Sequence, residues 1–401
     1  MRGNGWSEAS RARAGKACAV LVIAACAGIL LSACGSSDST SSGTGGGSET
    51  SGSSGGSWAQ AQAAAKARAE RFEHPIESLD LKLPPIPDGA SVLAHKKILV
   101  VPLASAIFAS MQASITKGIE AAGGNVRVCD GKANPTEIGT CLASAKTSNV
   151  DAVITIAVSP DIAGEGYREL EAEHIPTYAA WQNPLQTPET ELLRFQDNVP
   201  ALESSLKTAT DYAMATSEEP LQSLLIGNQD SKPTEAASKN WMAYTEEVCT
   251  GCSQNTDFVI TTQASQVTGM VSSQLIQHPE TNTVMTFNID VYGPPAVEGL
   301  ANSAEKPRLG GNGSGGPALK LIQQGRLSFD VATSLYYEGW AAVDGLMRQL
   351  AGLQAVEYPA AIRIFDPENV SELNLAPQNE TSFQWFGNAP IEAEFEKAWG
   401  L

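Results

Sequence analysis

The sequence has too little positive charge for a nucleic-acid-binding protein, and its few histidines are too scattered to form a metal site. Lysine and arginine number 26 against 44 aspartates and glutamates, which gives the 401 residues a formal net charge of −18. Phosphate neutralisation needs a basic surface, so this balance excludes nucleic-acid binding. The histidines His74, His95, His174 and His278 lie far apart and form no HExxH motif or other zinc-ligand spacing. We therefore expect no metal site.

Motifs of nucleotide binding and covalent catalysis are also missing. The Gly-rich segment 310–316 (GGNGSGG) lacks the lysine of a phosphate-binding loop, and no GxGxxG pattern follows the first predicted strand. Residues 52–56 (GSSGG) match the GxSxG pattern of a nucleophile elbow, but no predicted strand precedes them and no predicted helix follows. We expect no catalytic residue and no cofactor.

The N-terminal segment has the order of features of a secretory signal. Residues 1–16 are basic, and the uncharged apolar run 17–33 ends in small residues. A transmembrane anchor is the alternative, for which this run is marginally short. The sequence LSAC at 31–34 resembles a bacterial lipobox, which implies cleavage after residue 33 and a lipid on Cys34. Two or more acyl chains hold a protein firmly at a membrane, so we expect an anchor on the outer face of the cell membrane.

Four cysteines follow in the body of the chain, and proximity pairs them as Cys129–Cys141 and Cys249–Cys252. An even number of cysteines outside the cytoplasm favours disulfides, although the sequence does not fix their connectivity. Cys249 and Cys252 also form a CxxC pair, which in redox proteins opens a helix after a strand. Here the pair closes a predicted helix and precedes a strand, which favours a structural disulfide. Zinc would need a second pair or a nearby histidine.

Two segments separate the signal from the body. Residues 34–57 are almost wholly Gly, Ser and Thr, a composition typical of a flexible tether. Residues 58–95 join an Ala-rich, helix-forming stretch to a Pro-rich break. We expect the second segment to be an arm that packs on the body.

From Lys96 onward, predicted strands and helices alternate. Segments such as KKILVVPL (96–103) and DAVITIAV (151–158) are continuously apolar, and the segments between them have helical patterns. This alternation predicts parallel sheets covered by helices on both faces. Two successive series predict an α/β fold with two doubly wound, Rossmann-like lobes. Lobe 1 is assigned residues 96–182 plus about 334–353, and lobe 2 is assigned 183–333 plus about 354–401.

The order of these segments resembles the type I periplasmic binding protein family, in its sugar-binding branch, over about residues 96–351. The segments that carry the resemblance are KKILVVPLASAIFASMQASITKGIEAAGG, DAVITIAV, IPTYAAW, FQDN, HPETNTVMTFNID, LGGNGSGGPALKLIQQGRLSFDVATS and EGWAAVDGLMRQLAG. The resemblance implies two lobes joined by a hinge, with a ligand held in the cleft between them. It also implies an extracytoplasmic, monomeric solute-binding protein that delivers its ligand to the permease of an ABC transporter.

The resemblance also implies the ligand-binding positions. Ser105 and Phe108 stand where the family has a polar and a stacking contact. Trp181 and Gln182 replace the Asp-Arg pair of ribose-binding members, and Asn240 replaces an Arg, which puts ribose in doubt. The second-lobe positions are Asn288, with Asp290 as the alternative contact beside it, Asn312, and Thr333, with Ser334 as the alternative to Thr333. Loop capping is the other role open to the polar residues, and core packing is the other role open to Phe108. Core packing is favoured for the aromatic residues Tyr336, Tyr337 and Trp340.

These positions form an amide-rich, aromatic pocket with few charges. Such a pocket suits a neutral sugar or polyol better than an amino acid or a phosphate, which would need a cationic group or a helix N-terminus. A sensor protein that presents its ligand to a membrane receptor is the main alternative, and an enzyme acting on a sugar derivative is less favoured. A transcriptional regulator with this fold would need a basic helix-turn-helix ahead of the first lobe, where the sequence has a signal, a tether and an arm.

Overall fold

The computed structural model describes residues 57–182, 188–301, 303 and 306–401. The predicted signal segment, Cys34 and the tether up to residue 56 lie outside these residues. Within the described ranges, no helix is both long enough and apolar enough to cross a membrane.

The Ala-rich stretch forms the first helix of the arm. Helix α1 (Trp58–Ala69) begins at Ser57, whose hydroxyl accepts from the backbone N–H of Gln60 while the Gln60 side chain accepts from the backbone N–H of Ser57. Such a reciprocal capping box satisfies two N–H groups that the first turn leaves without helical partners. A 3₁₀ turn (Glu70–Phe72) and the short helix α2 (Gly89–Val92) complete the arm.

The first sheet consists of five parallel strands in the order β2-β1-β3-β4-β5. The strands are β1 (Lys97–Pro102), β2 (Asn125–Val128), β3 (Ala152–Ile156), β4 (Thr177–Gln182) and β5 (Leu193–Asp197). They are connected by helices α3 (Ala109–Ala121), α4 (Pro135–Thr147) and α5 (Pro160–Ala172). Central strand residues such as Val100 and Ile154 are fully buried, because helices cover both faces of a doubly wound sheet.

Strand β5 changes the predicted boundary between the lobes. The sequence prediction began lobe 2 at residue 183, whereas Leu193–Asp197 pairs with β4 in parallel, with Leu193 beside Thr177. The first sheet therefore extends to residue 197. The short segment LRFQD has no continuous apolar run, so only its pairing with β4 reveals it as a strand.

The second sheet consists of six strands in the order β11-β10-β9-β8-β6-β7, of which only β11 is antiparallel to its neighbour. The strands are β6 (Gln222–Asn228), β7 (Ser253–Val259), β8 (Thr283–Thr286), β9 (Arg308–Gly313), β10 (Asp330–Thr333) and β11 (Ile362–Phe365). Their helices are α6 (Val199–Ala215), α7 (Lys232–Val248), α8 (Gln266–Gln277), α9 (Ile289–Leu300) and α10 (Gly316–Gln323).

The C-terminal part of the chain crosses between the two lobes more than once. Helix α11 (Leu335–Leu350) follows β10 of the second sheet but packs on α3, β4 and β5 of the first lobe. The chain then returns to the second sheet as β11 and continues through α12 (Pro367–Val370) and α13 (Pro377–Glu380). The last helix, α14 (Ile391–Trp399), packs on α11 and α2. The prediction that 354–401 belongs to lobe 2 is therefore wrong for α14.

A buried polar network fastens these terminal elements to α11. The carboxylate of Asp344 accepts from the guanidinium of Arg348 at 2.6 Å, from the indole N–H of Trp399 at 2.8 Å and from the hydroxyl of Tyr358 at 2.7 Å. Arg348 also donates to the carbonyl of Pro84 in the arm at 2.8 Å. One carboxylate thus organises α11, α14, the chain before β11 and, through Arg348, the arm.

The arm is held on lobe 2 as well. Helix α1 packs on α6, where the guanidinium of Arg68 contacts both carboxylate oxygens of Asp211 and the hydroxyl of Tyr244 donates to the same group. Farther along, the N–H of Ile76 donates to the carbonyl of Phe386, so the arm also pairs with the C-terminal segment.

Two disulfides are present, and both are the predicted pairs. Cys129 and Cys141 join the end of β2 to α4, with 5.6 Å between their Cα atoms. Cys249 and Cys252 join the end of α7 to the start of β7, with 5.5 Å between their Cα atoms. The CxxC pair lies at the C-terminus of a helix, as its sequence context indicated.

Candidate functional site

The connections between the sheets bring the carboxyl ends of their strands to the same side. Strand β5 of the first lobe ends at Asp197, and α6 of the second lobe begins at Val199. Strand β10 of the second lobe ends at Thr333, and α11 of the first lobe begins at Leu335. Because each crossing is a single residue long, the two carboxyl edges are adjacent. Ligands of parallel α/β sheets bind at these edges.

Ser105 lies beyond β1 in a hydrogen-bonded loop. Its N–H donates to a carboxylate oxygen of Asp130 at 2.9 Å, and its hydroxyl donates to the side-chain carbonyl of Gln112 at 2.8 Å. Asp130, which follows β2, was not predicted as a functional residue. Hydrogen bonds from the backbone N–H groups of Lys132 and Ser105 lower the pKa of Asp130, so this edge carries a stable negative charge.

Phe108, Trp181 and Gln182 form the rest of the first-lobe set. Phe108 is buried immediately before α3, and Gln182 is buried at the end of β4. Trp181 is half-buried and has a φ of +55°. A left-handed backbone is rare for a bulky residue, and such strain concentrates at binding and catalytic sites.

The same backbone conformation recurs at other strand ends. Ala157 follows β3 with a φ of +56°, and Asn288 follows β8 with a φ of +45°. Positive φ costs a non-glycine residue about 1–3 kcal/mol where it is strained. The three strand ends account for three of the nine non-glycine residues with positive φ among the described residues, and Trp181 is the bulkiest of the nine.

Asn288 and Asn312 are brought together by the structure. The N–H of Asn288 donates to the side-chain oxygen of Asn312 at 3.1 Å, and the Asn312 amide donates to the hydroxyl of Ser205 at 3.3 Å. Asp290 has a different role, since its carboxylate accepts from the backbone N–H groups of Ser314 at 2.7 Å and Ala318 at 3.0 Å. Asp290 therefore shapes the loop between β9 and α10.

Thr333 is buried at the end of β10, and the residue after it is a helix cap. The hydroxyl of Ser334 accepts from the backbone N–H of Tyr337 at 3.3 Å. Tyr337 and Trp340 are fully buried and both pack against Phe395 of α14. The aromatic residues of α11 accordingly lie in the core.

Asn240 lies apart from this set. It is exposed in the middle of α7, and its amide donates to the carboxylate of Glu203 at 2.7 Å. Helix α7 begins at Lys232, so Asn240 is more than two turns beyond the carboxyl edge of β6. The spacing from β6 therefore contradicts its place among the ligand contacts.

Gln196 and Glu338, which sequence reasoning missed, form a buried pair beside the β5–α6 crossing. The Gln196 amide donates to the Glu338 carboxyl at 2.7 Å. Burial raises the pKa of Glu338 to about 8, so this carboxyl is protonated at neutral pH. The side-chain oxygen of Gln196 has no hydrogen-bond partner among the described residues. No local motif marks two residues 142 positions apart.

Asp330 is the other buried acid that the sequence did not reveal. It is fully buried at the start of β10, and neither carboxyl oxygen meets a hydrogen-bond partner in the described ranges. Burial, and then the nearby charge of Asp290, raise the pKa of Asp330. Gly313 lies between these acids, since a Cβ there would come within 2.8 Å of an oxygen of each. Only glycine fits that approach.

The assembled edges offer amides, hydroxyls and one half-buried indole. Groups of this kind donate to and accept from hydroxyls, and an aromatic ring covers the apolar face of a sugar. Within the described ranges, no cluster of three or more His, Cys, Asp or Glu side chains is arranged to hold a metal ion.

No protein-family model matches the sequence, and no curated protein matches it significantly. Solved structures do match. An ABC transporter solute-binding protein from Agrobacterium vitis, bound with alpha-D-tagatopyranose, is 15% identical with a TM-score of 0.57, over 69% of this chain and 96% of its own. A carbohydrate transporter from Acidothermus cellulolyticus, in complex with myo-inositol, is 17% identical with a TM-score of 0.53, over 72% and 100%. A solute-binding protein from Bradyrhizobium sp. BTAi1, with bound bis-tris, is 17% identical with a TM-score of 0.56, over 77% and 88%.

The chain has the type I periplasmic binding protein fold. The predicted α/β class, with two doubly wound lobes, is thereby confirmed. Ser105, Phe108, Trp181 and Gln182 lie at or just beyond strand ends of the first sheet. Asn288, Asn312 and Thr333 lie at strand ends of the second sheet.

Proposed function

We propose that the protein captures a sugar or polyol between its two lobes, outside the cytoplasm, and delivers it unchanged to the permease of an ABC transporter. The observation that carries the proposal is the meeting of the two carboxyl edges, which single-residue crossings hold side by side. The solved proteins with this fold include ones bound to a tagatose, to myo-inositol and to allitol.

The side chains at these edges suggest a division of roles. The Trp181 ring would lie on the apolar face of the ligand, as aromatic rings do in sugar sites. Ser105, Gln182, Asn312 and Thr333 would exchange hydrogen bonds with its hydroxyls. Binding would be completed by closure of the lobes about the crossings, since a ligand that touches both lobes stabilises the state in which both contacts form.

The proposal assigns no chemistry to the bound ligand. The buried acids Glu338 and Asp330 lie beneath the edges rather than in a nucleophile–base arrangement, and burial raises the pKa of each. A binding protein needs contacts that form and break without changing covalent bonds, and amides and hydroxyls supply them.

A thermal-shift screen of the full-length protein in mild detergent tests this function. Myo-inositol, D-tagatose and allitol head the panel, with glutamate and inorganic phosphate as charged comparisons. A ligand at 100 times its dissociation constant adds about 2.7 kcal/mol to the free energy of unfolding, which raises the melting temperature by several degrees. A shift with phosphate or glutamate and none with any polyol would contradict the proposal.

The membrane attachment is a separate part of the proposal, and it rests on the sequence around Cys34. Cells grown with a clickable palmitate analogue should label the parent protein and leave the Cys34→Ser variant unlabelled. The Cys129–Cys141 and Cys249–Cys252 disulfides occupy the four cysteines of the body. A parent protein that takes up no label would disprove the anchor.

A further inference from the structure

The segment that follows β11 passes the carboxyl edges of both lobes on its way from lobe 2 to lobe 1. We call residues 374–389 the strap. On the lobe 2 side, the guanidinium of Arg363 in β11 donates to the carbonyl of Trp385 at 2.5 Å. The Trp385 ring lies against Gly315 at the start of α10, 3.6 Å from the place a Cβ there would occupy. The middle of the strap is thus fastened to lobe 2.

One strap residue, Glu380, touches both lobes through different atoms. Its backbone carbonyl accepts a hydrogen bond of 2.7 Å from the hydroxyl of Ser110, in the first turn of α3 in lobe 1. Its carboxylate lies beside Gly316, the first residue of α10 in lobe 2, where an added Cβ would be 2.9 Å from Oε1. A single residue therefore bridges the lobes.

This bridge is at the mouth of the proposed cleft. Ser110 is two residues beyond Phe108, and Gly316 is four residues beyond Asn312, so each anchor of Glu380 is next to a candidate ligand contact. Separation of α3 from α10 therefore loads the Ser110–Glu380 hydrogen bond, because the strap is held on lobe 2 by Arg363 and by the Trp385 ring against Gly315.

The end of the strap is fixed to lobe 1 and to the arm. The N–H groups of Asn388 and Ala389 both donate to the carbonyl of Ile76, and Glu392 at the start of α14 pairs with Lys117 of α3 at 2.6 Å. The strap is therefore held at both ends. The contact of the strap with Ser110 is a single half-buried hydrogen bond. It is therefore the strap contact that breaks at the lowest cost in free energy.

We propose that Glu380 is a latch that holds the lobes in the arrangement described here, and that the Ser110–Glu380 contact must break when the lobes move apart for the ligand to enter or leave. The effect on ligand exchange rests on the proposed function. The effect on the distance between the lobes does not.

The Ser110→Ala variant removes the hydroxyl and tests the latch without any ligand. Thr116→Ala is the matched control, since the Thr116 hydroxyl bonds to the Gln112 carbonyl of its own helix at 2.8 Å. Non-natural residues carrying spin labels at exposed positions 172 in lobe 1 and 276 in lobe 2 report the inter-lobe distance by pulsed electron paramagnetic resonance. In ligand-free full-length protein, Ser110→Ala should raise the population at long distance about fivefold, and the control should match the parent. Equal distributions in Ser110→Ala and the parent would overturn the latch.

A second variant separates the two sides of the bridge. Glu380→Ala keeps the carbonyl that Ser110 uses and removes the carboxylate beside Gly316, so it should also raise the long-distance population. If the inter-lobe distance distribution of Glu380→Ala matched that of the parent, the carboxylate would have no role in holding lobe 2, and the latch would be rejected.

A kinetic measurement with myo-inositol and D-tagatose then connects the latch to the site. If either sugar binds the parent, its dissociation rate should rise about fivefold in Ser110→Ala and stay unchanged in Thr116→Ala. An unchanged rate in Ser110→Ala would reject the latch. If neither sugar nor any other member of the panel binds the parent, the proposed function fails, and the inter-lobe distances still decide whether the latch exists.

Discussion

Trp181 holds a left-handed backbone that a bulky side chain adopts only under constraint. Replacing it with Ala should weaken polyol binding about tenfold, because an aromatic ring contributes about 0.5–1.5 kcal/mol beyond its buried area. Titration calorimetry with the best polyol of the panel measures the loss. Trp58→Ala is the control, since Trp58 is also partly buried but lies in α1 of the arm. Equal losses in both variants would show that Trp181 acts through stability alone.

A pair of amides tests the position of the site. Gln182 is buried at the end of β4, whereas Asn240 is exposed two turns into α7. Gln182→Ala should lower the affinity by about 1 kcal/mol or more, the usual net value of a hydrogen bond, and Asn240→Ala should leave it within error. If Asn240→Ala proved the more damaging change in the same calorimetric titration, the strand-edge assignment would be wrong.

Glu338 predicts a pH dependence of stability. Its pKa is raised to about 8 in the folded protein, so the folded state holds a proton that the unfolded chain loses near its ordinary value of about 4.3. The free energy of unfolding should therefore fall as the pH rises between about 5 and 8, by up to about 1.4 kcal/mol per pH unit from this group.

Glu338→Gln isolates that contribution, because the amide stays neutral at every pH and can still bond to Gln196. Urea denaturation at pH 5, 6.5 and 8 should show a steeper loss for the parent than for the variant. Parallel curves would mean that Glu338 is ionised in the folded protein.

Among the elements, α11 carries the polar network that both terminal segments join. Asp344→Asn removes the charge that Arg348 pairs with at full burial. Leaving one member of a buried ion pair without its partner costs about 3–5 kcal/mol, and we expect that loss in the free energy of unfolding by urea denaturation. Asp80→Asn is the control, since the Asp80–Lys82 pair is 83% exposed on both sides, and exposed pairs contribute about 0–1 kcal/mol. If Asp344→Asn lowered the free energy of unfolding no more than Asp80→Asn does, the Asp344 network would not be part of the structure that unfolds cooperatively.

The elements also show which parts of the fold the sequence could predict. The central strands are continuous apolar runs because helices bury both of their faces, and this pattern is local. Strand β5 was missed because its identity depends on pairing with β4. Helix α14 was given to the wrong lobe because its contact is Trp399 with Asp344, 55 positions away. Among candidate site residues, the family resemblance assigned Asn288 and Asn312 to one site, and the structure brings them into contact, whereas the Gln196–Glu338 pair has no local signal.

At the scale of the whole molecule, the chain passes between the lobes after β5, after β10 and after α11. The arm and the strap are two further connections between the lobes. The arm runs from α6 of lobe 2 to β1 of lobe 1, and the strap runs from β11 of lobe 2 to α14 of lobe 1. A ligand that closes the lobes should lower the radius of gyration measured by small-angle X-ray scattering. The Arg68→Ala variant loosens the arm from Asp211 and should enlarge that difference by expanding the free form. A free form of unchanged size would show that the arm does not restrain opening.

The late position of α14 also affects how the chain folds during synthesis. The strands of the first sheet are complete by residue 197, yet the helix layer over them waits for α11, and α11 waits for Trp399 to fill the last hydrogen bond of Asp344. A nascent chain that stops before residue 391 therefore exposes the face of α11 in lobe 1 where Tyr337 and Trp340 pack against Phe395. The first lobe is therefore complete only once the last helix of the chain has been synthesised.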